Sequence, residues 1–134
     1  MYANLLLDEE KVVFLKLLTY LSKIDKNISE NEVVFIERIA QDIGVVIDKN
    51  FFDLEVQDLK ELLSSFKNEQ SKNILLTELI NLAFSDDNYS HDERKGILEI
   101  SRLLDVSESK LSEIENWIIE GNTWLYKGSK LILV

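Results

Sequence analysis

Asp25-Lys26-Asn27-Ile28-Ser29-Glu30-Asn31-Glu32 is a turn that the chain writes twice. Sixty-one residues further on stands Asp86-Asp87-Asn88-Tyr89-Ser90-His91-Asp92-Glu93. Each copy ends in Ser-x-x-Glu, the spacing of a capping box. There the serine side chain takes the third backbone N–H of a helix, and the glutamate reaches back to the serine N–H. Each therefore predicts a helix starting one residue after the serine, at Glu30 and at His91. Working outward, residues 12–45 overlay 73–106. Leu15, Leu18 and Leu21 fall on Leu76, Leu79 and Leu82, and Ile36, Ile39 and Val45 fall on Ile97, Ile100 and Val106. Three-and-four spacing of apolar residues describes one buried helix face. The repeated unit is thus a helix, a polar turn and a second helix.

The remaining segments fill in the bundle. Residues 9–24 carry Val13, Phe14, Leu17, Leu18, Leu21 and Ile24 at helical spacing, and Gly44 is placed to end the second helix in a left-handed conformation. Residues 45–53 read as an irregular connection. A third helix is expected over about 54–67 on Leu59, Leu62, Leu63 and Phe66, then a polar link from Lys67 to Asn73. After the second repeat, Asp105-Val106-Ser107 opens a last helix on Leu111, Ile114, Trp117 and Ile118, with Gly121-Asn122 as its stop. Beyond it, residues 123–134 read as a hairpin, or as an apolar arm packed on the bundle or on a second subunit. Trp117, Trp124 and Tyr126 are expected to pack in the core or tail rather than to form a partner-binding patch. The prediction is all-α: one domain over residues 1–134, a bundle of about six helices built from a duplicated hairpin.

Composition agrees and sets limits on function. The chain has no proline and four glycines among 134 residues, which favours long helices. It has no cysteine, so disulfides, thiolate metal sites and thiol catalysis are excluded, and a reducing cytoplasm fits. The N-terminal stretch lacks a basic region and a long apolar run, and no segment approaches the ~20 apolar residues of a membrane span. Net charge is −10, with 25 acidic against 15 basic side chains. That field opposes direct contact with nucleic acid or anionic lipid and favours divalent cations or basic protein partners.

Oxygen-bearing residues at alternate positions of each turn suit a hard cation such as Ca²⁺ or Mg²⁺. Asp25, Asn27 and Ser29 match the first, third and fifth positions of an EF-hand loop, as do Asp86, Asn88 and Ser90. The match ends there. The glycine of the sixth position is Glu30 or His91, and the glutamate of the twelfth is Ile36 or Ile97. The candidate ligands are Asp86, Asp87 and Glu93 in the second turn and Asp25 and Glu32 in the first. Lys26 would oppose a cation at the first turn, so the second is favoured. The same residues have a purely structural use. Glu32 and Glu93 complete capping boxes, Asp25 and Asp86 can close Asx turns, and acids at a helix N-terminus suit its dipole. His91, the lone histidine, is expected to be an exposed side chain rather than a catalytic base.

The turns resemble those of the TerB-like family, which comprises tellurite-resistance TerB and the N-terminal domain of DjlA-type co-chaperones. Members carry two turns resembling A-D-G-x-I-S-x-x-E between amphipathic helices. Here the corresponding stretches are Ile24 to Glu32 and Ser85 to Glu93. The resemblance spans roughly residues 10–118 and includes Ile43-Gly44-Val45 and Leu104-Asp105-Val106-Ser107. This chain departs at the alanine, replaced by Ile24 and Ser85, and at the glycine, replaced by Lys26 and Asp87. With the second change the bend is expected at Asn27 and Asn88, which tolerate left-handed geometry. The resemblance implies a small all-helical domain with an acidic surface, cation-binding turn residues, a part in stress-related assemblies and no enzymatic activity.

Three functions follow for testing. The first is a non-enzymatic interaction module with a protein partner, modulated by a divalent cation, with homodimerisation through the tail as an option. The second is an acidic decoy for a nucleic-acid-binding protein, weakened by the fifteen basic residues mixed among the acids. The third is a metal-dependent hydrolase using the carboxylates, which would need converging ligands around an open pocket.

Overall fold

The computed structural model describes residues 2–24, 26–85 and 90–133, with Ser85 described in its backbone alone. The described residues form six α-helices and two short 3₁₀ turns, and no strand. The helices are α1 (Asp8–Ser22), α2 (Glu30–Asp42), α3 (Leu59–Leu63), α4 (Glu69–Ser85), α5 (His91–Leu103) and α6 (Glu108–Ile132). The 3₁₀ turns are Tyr2–Leu5 and Lys49–Asp53. The chain is an all-α bundle, and among the described residues no helix is long and apolar enough to cross a membrane.

α1 and α4 form the centre. Phe14, Leu15 and Leu17 of α1 and Leu75, Leu76 and Ile80 of α4 are wholly buried. α2 packs on α1, and α5 packs on α1, α3 and α4, while α6 crosses α4 and α5. The outer helices α2 and α5 bury one stripe each, Ile36-Ile39-Ala40 and Ile97-Ile100-Ser101, as their three-and-four spacing requires. Residues 61 apart thus share their burial.

Both predicted N-caps form. Ser29 Oγ accepts the Glu32 N–H at 3.1 Å, and Ser90 Oγ accepts the Glu93 N–H at 3.1 Å. The C-terminal ends match as well. Gly44 N–H donates to the Gln41 carbonyl and Val45 N–H to the Ala40 carbonyl, the paired bonds of a Schellman motif. Asp105 N–H and Val106 N–H repeat the pair on Arg102 and Ser101. The motif needs a left-handed residue, and Gly44 takes φ +77°. Its counterpart is not a glycine. Asp105 adopts φ +60°, which aspartate tolerates better than most residues.

Three expectations are corrected. α3 covers only 59–63, because Asp58 caps it through the Glu61 N–H and the segment 49–53 winds as a 3₁₀ turn instead of an irregular loop. α4 begins at Glu69, inside the expected link, because the Asn68 side chain accepts the Ser71 N–H at 2.8 Å and caps it. The largest difference is at the C-terminus. Gly121-Asn122 does not end α6, and residues 123–132 are neither a hairpin nor an arm folded onto the bundle. They continue the helix to Ile132. A glycine stops a helix by turning left-handed, and Gly121 keeps a helical φ. Left helical, it costs only ~1 kcal/mol relative to alanine, too little to break a long helix.

Candidate functional site

Glu32 of the first capping box and Glu93 of the second border one groove. A cavity of about 490 Å³ is lined by Leu18, Leu21, Ser22, Lys26, Ser29, Glu32, Phe35 and Ile36 of the first hairpin. Leu79, Leu82, Ala83 and Glu93 of the second complete it. Part of its lining falls into matched pairs: Leu18 with Leu79, Leu21 with Leu82, Ser22 with Ala83, and Glu32 with Glu93. Each pair is 61 residues apart. Leu18, Leu21 and Leu79 are core residues whose edges form the floor.

The described carboxylates at its rim are held by capping. Glu32 Oε1 accepts the Ser29 N–H at 3.1 Å, completing the first capping box. The Lys26 ammonium lies 3.5 Å from the same oxygen. Partial burial pushes the Glu32 carboxyl up. The hydrogen bonds from Ser29 and Ser22 and the charge of Lys26 outweigh it and hold the group below its ordinary range. In the second turn Glu93 Oε1 accepts the Ser90 hydroxyl at 3.3 Å. Of the five candidate ligands, Glu32 and Glu93 are therefore brought to one groove, while Asp25, Asp86 and Asp87 lie outside the described residues. Among the described residues no three acids or histidines gather closely enough to hold a metal. His91 and Asp92 are exposed on the first turn of α5.

Several polar residues escaped sequence reading. Glu10 is 1 % exposed, its Oε1 accepting the Leu7 N–H at 2.8 Å and the Ser71 hydroxyl at 3.1 Å. Ser71 is the residue 61 positions after Glu10, so corresponding sites of the two halves touch. Glu78 is buried in α4, takes the Tyr2 N–H at 3.4 Å, and has a second oxygen with no partner among the described residues. Arg94 grips Glu115 with two guanidinium nitrogens at 3.2 and 3.3 Å and ties α5 to α6. The signal for Glu10 was its third position in α1, where a capping glutamate belongs. For Glu78 it was the place on the same face as Leu75 and Leu82.

The aromatic residues were placed wrongly. Trp117, Trp124 and Tyr126 are all more than half exposed instead of packed in the core or the tail. Comparison with known family models, with curated proteins and with solved structures finds no match.

Proposed function

We propose that this chain is a non-enzymatic, TerB-like interaction module whose groove between the duplicated turns takes a basic protein partner, with Ca²⁺ or Mg²⁺ modulating the acidic rim. One observation carries the reading: residues 61 apart line the same groove, Leu18 with Leu79, Leu21 with Leu82 and Glu32 with Glu93, beside Lys26, Ser29, Asn31, Phe35 and Ile36 of the first half alone. A duplicated device that meets itself across a cavity with an apolar floor and acidic edges suits binding. Apolar side chains supply buried area, and carboxylates at the rim supply charge selectivity. The resemblance of the turns adds the expectation of a stress-related setting, and the absence of cysteine that of a reducing cytoplasm.

The cation arm rests on charge density. Asp86, Asp87, Asp92 and Glu93 stand together in sequence with no basic neighbour before Arg94 except His91. The first turn has Lys26 against Glu32. An ion that binds only the folded chain stabilises it by RT ln(1 + [L]/Kd), ~2.7 kcal/mol at 100 times Kd. The test is a melting series in Ca²⁺ and in Mg²⁺ at constant ionic strength, with wild type beside Asp86→Asn/Glu93→Gln. An ion-specific rise in wild type that the double variant loses is expected. If no rise exceeds ordinary screening, or if both proteins rise alike, these carboxylates are caps and turn-formers only.

A further inference from the structure

The second half of α6 projects beyond the bundle with its apolar side chains in solvent. Trp124 is 74 % exposed and Leu131 84 % exposed, and Trp117 at the root of the projection is 55 % exposed. Leu125, Tyr126, Ile132 and Leu133 are also more than half exposed. Taking each side chain at its fractional exposure and up to ~250 Å² for an aromatic one, the bare apolar area on the side of Trp117, Trp124, Leu125, Leu131 and Ile132 is roughly 700 Å². A monomer's largest patch is ordinarily about 300–600 Å², while a stable interface takes about 800 Å² from each partner.

The order of residues along this face names its occupant. Trp117, Gly121, Trp124, Gly128 and Leu131 follow spacings of four, three, four and three, the heptad seam of a coiled coil. Large and small residues alternate along it, so the seam is complementary to its own reverse: Trp-Gly-Trp-Gly meets Gly-Trp-Gly-Trp. A second copy laid antiparallel, crossing between Asn122 and Thr123, sets Trp124 over the partner's Gly121 and Trp117 over the partner's Gly128. Each indole meets a helix surface with no side chain in its way. A Cβ at either glycine would meet nothing within 4 Å, so these holes are open within the chain itself.

Charge follows the same symmetry. Residues 121–134 hold Lys127 and Lys130 and no acid, in a chain of net charge −10. Glu120 and Lys127 flank the seam on one side, and the antiparallel crossing sets Glu120 beside the partner's Lys127, twice per dimer. At its far end the partner's Leu131 arrives over Ile114. That residue is in the floor of a cavity of about 830 Å³ between α4 and α6, lined also by Ile74, Thr77, Trp117 and Glu113. We infer that two copies of this chain associate through α6 as an antiparallel pair, with tryptophan-on-glycine packing, reciprocal Glu120–Lys127 ion pairs and the end of each helix seated in the other's α4–α6 cavity.

Sedimentation equilibrium of the full chain over a micromolar concentration series tests this. Wild type should reach twice the 15.6 kDa chain mass. Gly121→Leu/Gly128→Leu fills the holes without touching the fold, so its helicity should equal or exceed that of wild type while its dimerisation constant weakens at least about tenfold. Lys127→Glu should weaken association, and Glu120→Lys/Lys127→Glu should restore it. A wild type that stays monomeric overturns the proposal, whether or not the monomer sediments with anionic or neutral lipid vesicles. So does a glycine-filled variant that dimerises as tightly as wild type, or a charge swap that does not recover.

Discussion

Replacing Glu78 by leucine should stabilise the protein at neutral pH. Glu78 lies on α4 with 2 % of its surface exposed, among Leu75, Leu79 and Leu82. The residue at its place in the first half is Leu17, wholly buried. The scaffold therefore already accommodates leucine at that station once. Glu78 Oε1 accepts the Tyr2 N–H at a long 3.4 Å, and Oε2 has no partner among the described residues. Leucine would recover roughly 1.5–3 kcal/mol of apolar burial. The loss is one long hydrogen bond, about 1 kcal/mol, softened because Tyr2 is half exposed and its N–H can turn to water. A net gain of about 1–2 kcal/mol is expected, a rise in Tm of roughly 3–8 °C in a domain of this size.

The pH dependence isolates the charge. Desolvation by burial raises the Glu78 carboxyl above its ordinary 4.5. Below 4.5 the group is neutral in both folded and unfolded chains, and wild type bears no penalty for it. As pH climbs through that value the unfolded chain releases its proton first, so folding loses stability until the raised folded value is passed. Beyond it the penalty is constant. Glu78→Gln keeps the volume and the acceptor for Tyr2 but never ionises. Its advantage over wild type should be smallest in acid and open as pH rises above 4.5. Urea denaturation of wild type, Glu78→Gln and Glu78→Leu from about pH 4 to about pH 8 reads both effects. A gap between Gln and wild type that is flat across that range, or a leucine variant less stable than wild type at neutral pH, would refute the argument.

Two further outcomes follow from the ends of the helices. Ser29→Ala and Ser90→Ala should each lower stability by ~1 kcal/mol, since each removes the acceptor of a first-turn N–H; thermal melts unchanged in both would show that the caps contribute nothing. Gly44→Ala should cost ~1 kcal/mol, because a Cβ is forced into a φ of +77°. Asp105→Gly relieves a φ of +60° and should stabilise by a few tenths to about 1 kcal/mol. Chemical denaturation that moved the two variants in the same direction would contradict the equivalence of the two terminators.

What was legible in the sequence was local. Ser29 and Ser90 announce their helices because a cap and its helix lie within four residues, so no tertiary contact can overrule the pattern. Gly44 was legible for the same reason. Asp105 was not: an aspartate before Val-Ser reads as the start of α6, and only the carbonyls of Ser101 and Arg102 show that it ends α5. Asn68 was passed over inside a polar run whose composition suits a loop as well as a cap. The length of α6 was misread because Gly121 resembles a stop by composition. Whether a glycine ends a helix depends on its φ, which the letter does not encode.

The candidate groove sits on the other side of that divide. Its carboxylates could be named from the turns alone, but not that Glu32 and Glu93 share one cavity. That follows from how the halves meet. Glu10 bonds Ser71, its own counterpart, across the centre of the bundle. This bond joins α1 to α4 at positions 61 residues apart. Leu18 with Leu79 and Leu21 with Leu82, also 61 residues apart, line the same groove. The Ser29–Glu32 cap and the Glu93 carboxylate, each ordinary alone, thus border one cavity.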